Sequence, residues 1–277
     1  MTTTRLARTF PLVFISTLLC FGQSSSAPAS VIARFAGTWK ENEAKAKIGS
    51  VPGLRFRASA DGGLEEVRGS DVAPLVQPVH FDGKQYAVDA GKNTLAWKQN
   101  GQSQFERQIF ESGQLVSTRR ITISNDGKTL TEVTEQKLQD GTTFLGTTVY
   151  SRSSGEGTGL AGIWKPQSRH SNNPQQMTVS AAGANSLRWS SRAGVTYTAA
   201  LDDKPVSITG PAVISGTMIA YKRIDDHTLV STSSRNGVVT ANSTLTLSPD
   251  GKVLTVTSTQ VGPNAGKEPS VTVYDKQ

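Results

Sequence analysis

Thr122-Ile123-Ser124-Asn125-Asp126-Gly127-Lys128-Thr129-Leu130-Thr131 returns 124 positions later as Thr246-Leu247-Ser248-Pro249-Asp250-Gly251-Lys252-Val253-Leu254-Thr255. Each reads as the end of one strand, an Asp-Gly turn and the start of the next. Moving outward, Ala96-Trp97-Lys98 matches Ala220-Tyr221-Lys222, and Val149-Tyr150 matches Val273-Tyr274, both at the same offset of 124. Ala36-Gly37-Thr38-Trp39-Lys40 recurs as Ala161-Gly162-Ile163-Trp164-Lys165 at 125, while Asp82 and Lys84 match Asp202 and Lys204 at 120. The register is therefore gapless from Ala96 to Tyr150 and slips before it. A period of this size is a domain rather than a solenoid unit. The chain divides into copies at 30–150 and 160–277, with the Ser- and Gly-rich 151–159 as linker.

Within each copy, short runs of Thr, Val, Ile and aromatics alternate with turn dipeptides. These are Asp61-Gly62, Asp82-Gly83, Asn100-Gly101, Ser112-Gly113, Asp126-Gly127 and Asp140-Gly141, then Asn236-Gly237 and Asp250-Gly251. Gly101, Gly113, Gly127 and Gly141 fall 12 to 14 residues apart, the rhythm of consecutive antiparallel hairpins. No window carries a sustained helical apolar period, a short turn over 41–48 excepted. The fold class is all-β. With eight or nine strands per copy, closure into two tandem antiparallel up-and-down barrels of about 120 residues removes the exposed edges.

One hairpin can be read to the level of side-chain direction. Phe105, Arg107 and Ile109 share a strand face by period two, and Leu115, Ser117, Arg119, Ile121 and Ile123 share a face of the next. A two-residue turn at Ser112-Gly113 would set these faces on opposite sides. A three-residue loop, Glu111-Ser112-Gly113 with Gly113 left-handed, sets them together, and the apolar pattern asks for that. Arg107 and Arg119 then project from the core face.

Residues 1–29 have the three-part form of a secretory signal peptide. Arg5 and Arg8 are followed by the apolar stretch Phe10 to Phe21, then by small residues with Ala27-Pro28-Ala29 in an A-x-A arrangement. Cleavage after Ala29 is expected, and Cys20, the chain's single cysteine, leaves with the leader. No transmembrane segment remains, and location is secreted or periplasmic. The whole chain of 277 residues carries 29 Lys plus Arg against 22 Asp plus Glu; losing Arg5 and Arg8 leaves 27 against 22, a net +5.

That charge is mild and not concentrated in any run, so a nucleic-acid partner is not expected. One cysteine and three histidines, His80, His170 and His227, leave no basis for a metal cage or a disulfide framework. Asp225-Asp226-His227 falls at a hairpin turn and reads as solvated. No nucleophile elbow, P-loop, zinc-protease helix or dinucleotide fingerprint is present, so neither a cofactor nor an enzymatic activity is expected.

The G-x-W openings at Gly37-Thr38-Trp39 and Gly162-Ile163-Trp164 resemble the first strand of lipocalins and fatty-acid-binding proteins. The Asp-Gly-Lys hairpins and the ending Val273-Tyr274-Asp275-Lys276 are similar to the late strands of fatty-acid-binding barrels. The same GTWK, DGKxLT and VYxK elements occur in exported bacterial proteins. The resemblance implies calycin-like barrels around a cavity for an apolar ligand. Thr148 and Thr272 stand where fatty-acid-binding proteins carry the Arg that grips a carboxylate, and the lipocalin T-D-x-x-Y element is absent.

The candidate ligand-binding residues are Arg107, Arg119, Phe105, Trp97 and Tyr86. Paired inward arginines suit a carboxylate or phosphate head group. Trp39 and Trp164 suit closure of a barrel end. Two functional expectations follow: an exported carrier of a small apolar or amphipathic ligand, or an envelope module whose loops contact protein or glycan.

Overall fold

In the computed structural model, the described residues are 30–277 apart from 50–52, 89–90, 92, 212 and 263–267. The signal peptide expected at 1–29, with Arg5, Arg8 and Cys20, lies outside them.

The first copy begins with the short helix α1 (Val31–Phe35), then β1 (Gly37–Glu41), β2 (Leu54–Ala58), β3 (Leu64–Arg68), β4 (Leu75–Val79) and β5 (Tyr86–Val88). It continues with β6 (Asn93–Gly101), β7 (Gln104–Glu111), β8 (Gln114–Ile123), β9 (Thr129–Lys137) and β10 (Thr143–Ser154). The second copy supplies β11 (Gly162–Ser171), β12 (Gln176–Ala181), β13 (Ser186–Ser191), β14 (Thr196–Ala200) and β15 (Val206–Ser207). It ends with β16 (Thr217–Arg223), β17 (Thr228–Arg235), β18 (Val238–Leu247), β19 (Val253–Gln260) and β20 (Ser270–Lys276). Strand makes up 61% of the described residues, in two nearly closed ten-stranded antiparallel sheets that form two barrels. The strand content exceeds the eight or nine expected per copy because short strands such as β5 and β15 pair near the sheet ends.

The copies exchange their opening strands. The first barrel runs β4-β3-β2-β11-β10-β9-β8-β7-β6-β5, and the second β14-β13-β12-β1-β20-β19-β18-β17-β16-β15. Thus β11 fills the slot between β2 and β10, with Gly162 opposite Phe56. In turn β1 fills the slot between β12 and β20, with Gly37 opposite Val179. Hydrogen-bonded pairing crosses the boundary between the copies. The linker stretch is also shorter than its composition suggests, because 151–154 continue β10 and pair with β11.

Each exchanged strand carries the tryptophan that seals its host. Trp39 and Trp164 are both fully buried. Their indole N–H groups donate to the carbonyls of Phe35 (2.9 Å) and Leu160 (2.8 Å), each four residues earlier. Phe35, Val31 and Ile32 of α1 pack in the second barrel's core with Trp39, and Leu160 packs with Trp164 in the first. Ser30 caps α1 through a bond from the Ala33 N–H.

The decisive turns are chemically identical. Ser124 and Ser248 each accept the backbone N–H five residues ahead, while Asp126 and Asp250 accept the N–H of Lys128 and Lys252. Gly127 and Gly251 hold left-handed φ angles of 69° and 68°, which the Asp-Gly pairing supplies without strain.

At the Arg107 hairpin the outcome matches the expected face but not the expected loop. Ser112 (φ 50°) and Gly113 (φ 78°) form a two-residue turn of the kind that follows strand twist. Parity is restored by a β-bulge: Ile109 pairs Ser117 whereas Phe110 pairs Leu115, leaving Val116 as the extra residue. Leu115 is consequently exposed instead of facing the core with Ser117. Asn236-Gly237 and a bulge after Ser233 repeat the arrangement.

Candidate functional site

Cross-strand register sets a row of inward side chains around the first barrel. Trp97 is opposite Arg107, Arg107 opposite Arg119, Arg119 opposite Thr134, and Thr134 opposite Gly146. The next row toward the sealed end holds Phe105, Ile121, Glu132 and Thr148 in the same manner. The two arginines therefore sit side by side, and both find carboxylates.

Arg107, 1% exposed, is ion-paired with the buried Glu66 of β3, and its guanidinium lies 5.7 Å from the centre of the Trp97 ring. Burial pushes the Arg107 pKa down, to about 9, against the pull of Glu66; the group remains charged at neutral pH. Arg119 donates to both oxygens of Glu132 at 3.4 Å. Burial pulls its pKa down, but the charges of Glu132 and Glu66 outweigh that and leave it raised. Several polar atoms of this layer are buried without a protein partner, among them Arg107 Nε, Glu66 Oε2, both amide atoms of Gln77 and Trp97 Nε1. Polar groups in that state require water or ligand.

Only part of the expected set lines open space. Arg119 reaches a cleft of about 870 Å³ between the barrels. Arg107 lies behind it in the ion pair, and Trp97 and Phe105 belong to the apolar core with Phe56 and Ile121. Tyr86 is 36% exposed on β5, where its hydroxyl donates to Asp82 (2.7 Å) and its ring lies 4.3 Å from that of His80.

The cleft has one wall from β9 and β10 (Glu132, Thr134, Thr148, Tyr150) and one from β20 (Ser270 to Thr272). Its rim is formed by the two segments that cross between barrels, at 46–48 and 166–169. These crossings are clasped: Arg169 is ion-paired with the buried Glu41, and Glu43 accepts both the N–H (3.1 Å) and the hydroxyl (2.5 Å) of Ser171. Burial raises the Glu41 pKa while Arg169 opposes the shift. Strand exchange thus builds the cleft, since its walls come from both barrels and its rim from both crossings.

The second barrel carries different chemistry on the same frame. The row equivalent to Trp97-Arg107-Arg119-Thr134-Gly146 is Tyr221-Ser231-Ser243-Ser258-Ser270. Ser243 and Ser258 share a hydrogen bond of 2.7 Å, and the row ends in the cleft at Ser270. Trp189, Tyr197 and Tyr221 stack in the core, with Trp189 and Tyr221 nearly parallel at 5.3 Å.

Glu66 and Glu132 were not singled out from the sequence. Glu132 was within reach, because Leu130, Glu132 and Thr134 share inward parity. Glu66 falls where the copies slip out of register. Asp225-Asp226-His227 forms the expected turn, with Asp225 accepting the His227 N–H at 2.7 Å, but His227 is half-buried rather than solvated, its Nε2 3.2 Å from Arg34 Nη1. Among the described residues no group of three His, Cys, Asp or Glu is placed to hold a metal, and no helix is long and apolar enough to cross a membrane. No protein-family model and no curated protein matches the chain.

Proposed function

We propose that this is an exported, non-enzymatic binding protein that carries a small apolar or amphipathic molecule in the cleft between two lipocalin-like barrels. The observation that carries the reading is the cleft itself. Its volume of about 870 Å³ lies in the range of small-molecule sites, roughly 300–1,000 Å³. Apolar surface from Tyr150, Phe144 and Val271 meets polar groups from Arg119, Thr148 and Thr272 around it, which suits a ligand with two kinds of surface. The signal-like leader supports a periplasmic or secreted location, where a carrier would meet such molecules.

Native mass spectrometry of protein purified from its own host tests this. A bound mass that disappears on denaturation is the expected result. Ligand-free protein, together with no saturable binding of any small-molecule probe, overturns the reading.

A further inference from the structure

We infer that the ligand of the inter-barrel cleft is the amphipathic case of that reading, a neutral short saccharide with apolar C–H faces and hydroxyl edges, rather than an anion. The inference rests on the carrier reading above and names its ligand class.

The charges around the cleft are already spent on one another. Arg119 holds Glu132, Arg169 holds Glu41, and Lys47 lies 3.3 Å from Glu268. Glu43 is engaged by Ser171. Counting Glu41 and Glu268, the three cations Lys47, Arg119 and Arg169 face the four carboxylates Glu41, Glu43, Glu132 and Glu268, so an incoming carboxylate or phosphate meets no net positive charge. Glu132 and Glu41 are only 5% and 4% exposed, and at low dielectric their charges repel an anion brought up beside them. The cleft therefore resists an anionic head group despite its arginines.

Neutral groups stand uncommitted here. The amides of Gln136 and Gln175 and the hydroxyls of Ser168 and Thr272 line the cleft with no hydrogen bond to another described residue. Amides and hydroxyls both donate and accept, which matches a ligand whose own hydroxyls do the same. The serine row of the second barrel brings further hydroxyls to the edge at Ser270. Phe144 and Tyr150 add aromatic surface. The electron-rich face of such a ring attracts the C–H face of a sugar.

Isothermal titration of the purified full chain with maltotriose, cellotriose and triacetylchitotriose, alongside fluorescence titration with cis-parinaric acid, tests the assignment. Saturable binding of at least one neutral trisaccharide is expected, little changed by raising salt. The double variant Gln136→Leu/Gln175→Leu should weaken it at least tenfold with an unchanged melting temperature, as should Thr272→Val. Saturable binding of parinaric acid with all three saccharides silent overturns the saccharide assignment and leaves the carrier reading standing. Saccharide binding that survives both variants places the ligand elsewhere and overturns the site. Silence of every probe, with no ligand co-purifying, removes both readings.

Discussion

The ammonium of Lys276 lies 5.1 Å from the ring centre of Trp39, joining the two ends of the described chain. Arg152 covers Trp164 in the same way at 3.9 Å, and donates to the carbonyls of Gly127, Gly157, Gly159 and Ala161. In both cases the tryptophan and its cation come from different copies. Cation–π contact and strand pairing agree on the exchanged arrangement.

Cross-linking reads that arrangement directly. In a chain also carrying Cys20→Ser, Thr38→Cys with Thr178→Cys places thiols on directly opposed residues of β1 and β12. Oxidation followed by proteolysis within 155–159 should leave the two halves covalently joined. Thr38→Cys with Arg55→Cys, the pair that would be opposed if each copy kept its own strand, should stay reduced under the same oxidation, with both thiols titrating after denaturation. The reverse pattern would refute the exchange.

The Arg107–Glu66 pair sets a second expectation. Arg107→Met leaves Glu66 buried and uncompensated, at a cost of about 3–5 kcal/mol in urea unfolding. Replacing both, Arg107→Met with Glu66→Leu, should recover most of that loss. A double variant as unstable as the single one would show that the pair stabilises this barrel in its own right.

The opening glycines should differ in tolerance. A Cβ on Gly162, at φ 130°, would stand 2.2 Å from the Ser154 carbonyl oxygen, whereas one on Gly37, at φ 145°, would meet the flexible end of Lys276. Both substitutions by Ala carry backbone strain of about 1–3 kcal/mol. Gly162→Ala should lose more than Gly37→Ala in thermal denaturation, because a backbone clash cannot be relieved by rotating a side chain.

Alkali should unfold the protein through its tyrosines. Burial holds Tyr197 and Tyr274 up at about 12, and Tyr150 and Tyr221 higher still. Between pH 10 and 12 the unfolded chain gives up phenolic protons that the folded chain retains, so stability falls as pH rises, by about 1.4 kcal/mol per pH unit for each such tyrosine. Absorbance at 295 nm should show Tyr86 ionising first, somewhat above pH 10 because its hydroxyl donates a hydrogen bond to Asp82, and the rest together with loss of structure. Smooth ionisation of all five tyrosines before unfolding would contradict the buried placement.

Much of this architecture was readable beforehand, for definite reasons. The Ser124 and Ser248 turns are local chemistry, so ten residues suffice to specify them. The inward direction of Arg107 and Arg119 followed from apolar parity, although the device that delivers it is the bulge at Val116 rather than a longer loop. Strand exchange was not readable: Gly37-Thr38-Trp39 and Gly162-Ile163-Trp164 present nearly the same pattern, and either could fill either slot. What decides between them lies in the crossings, where Glu41 meets Arg169 and Glu43 meets Ser171. The cleft was hidden for the same reason, being a product of that crossing.

Strand exchange also imposes an order on synthesis. The slot between β2 and β10 stands open until residues 162–171 have been made, and β1 must wait, unpaired, for β12 and β20 at the far end of the chain. Contacts of such sequence separation are slow to form, and open slots invite wrong partners. Neither barrel can finish alone, so the protein should melt in one transition, and a chain stopped between the copies would present a gap where its first wall belongs.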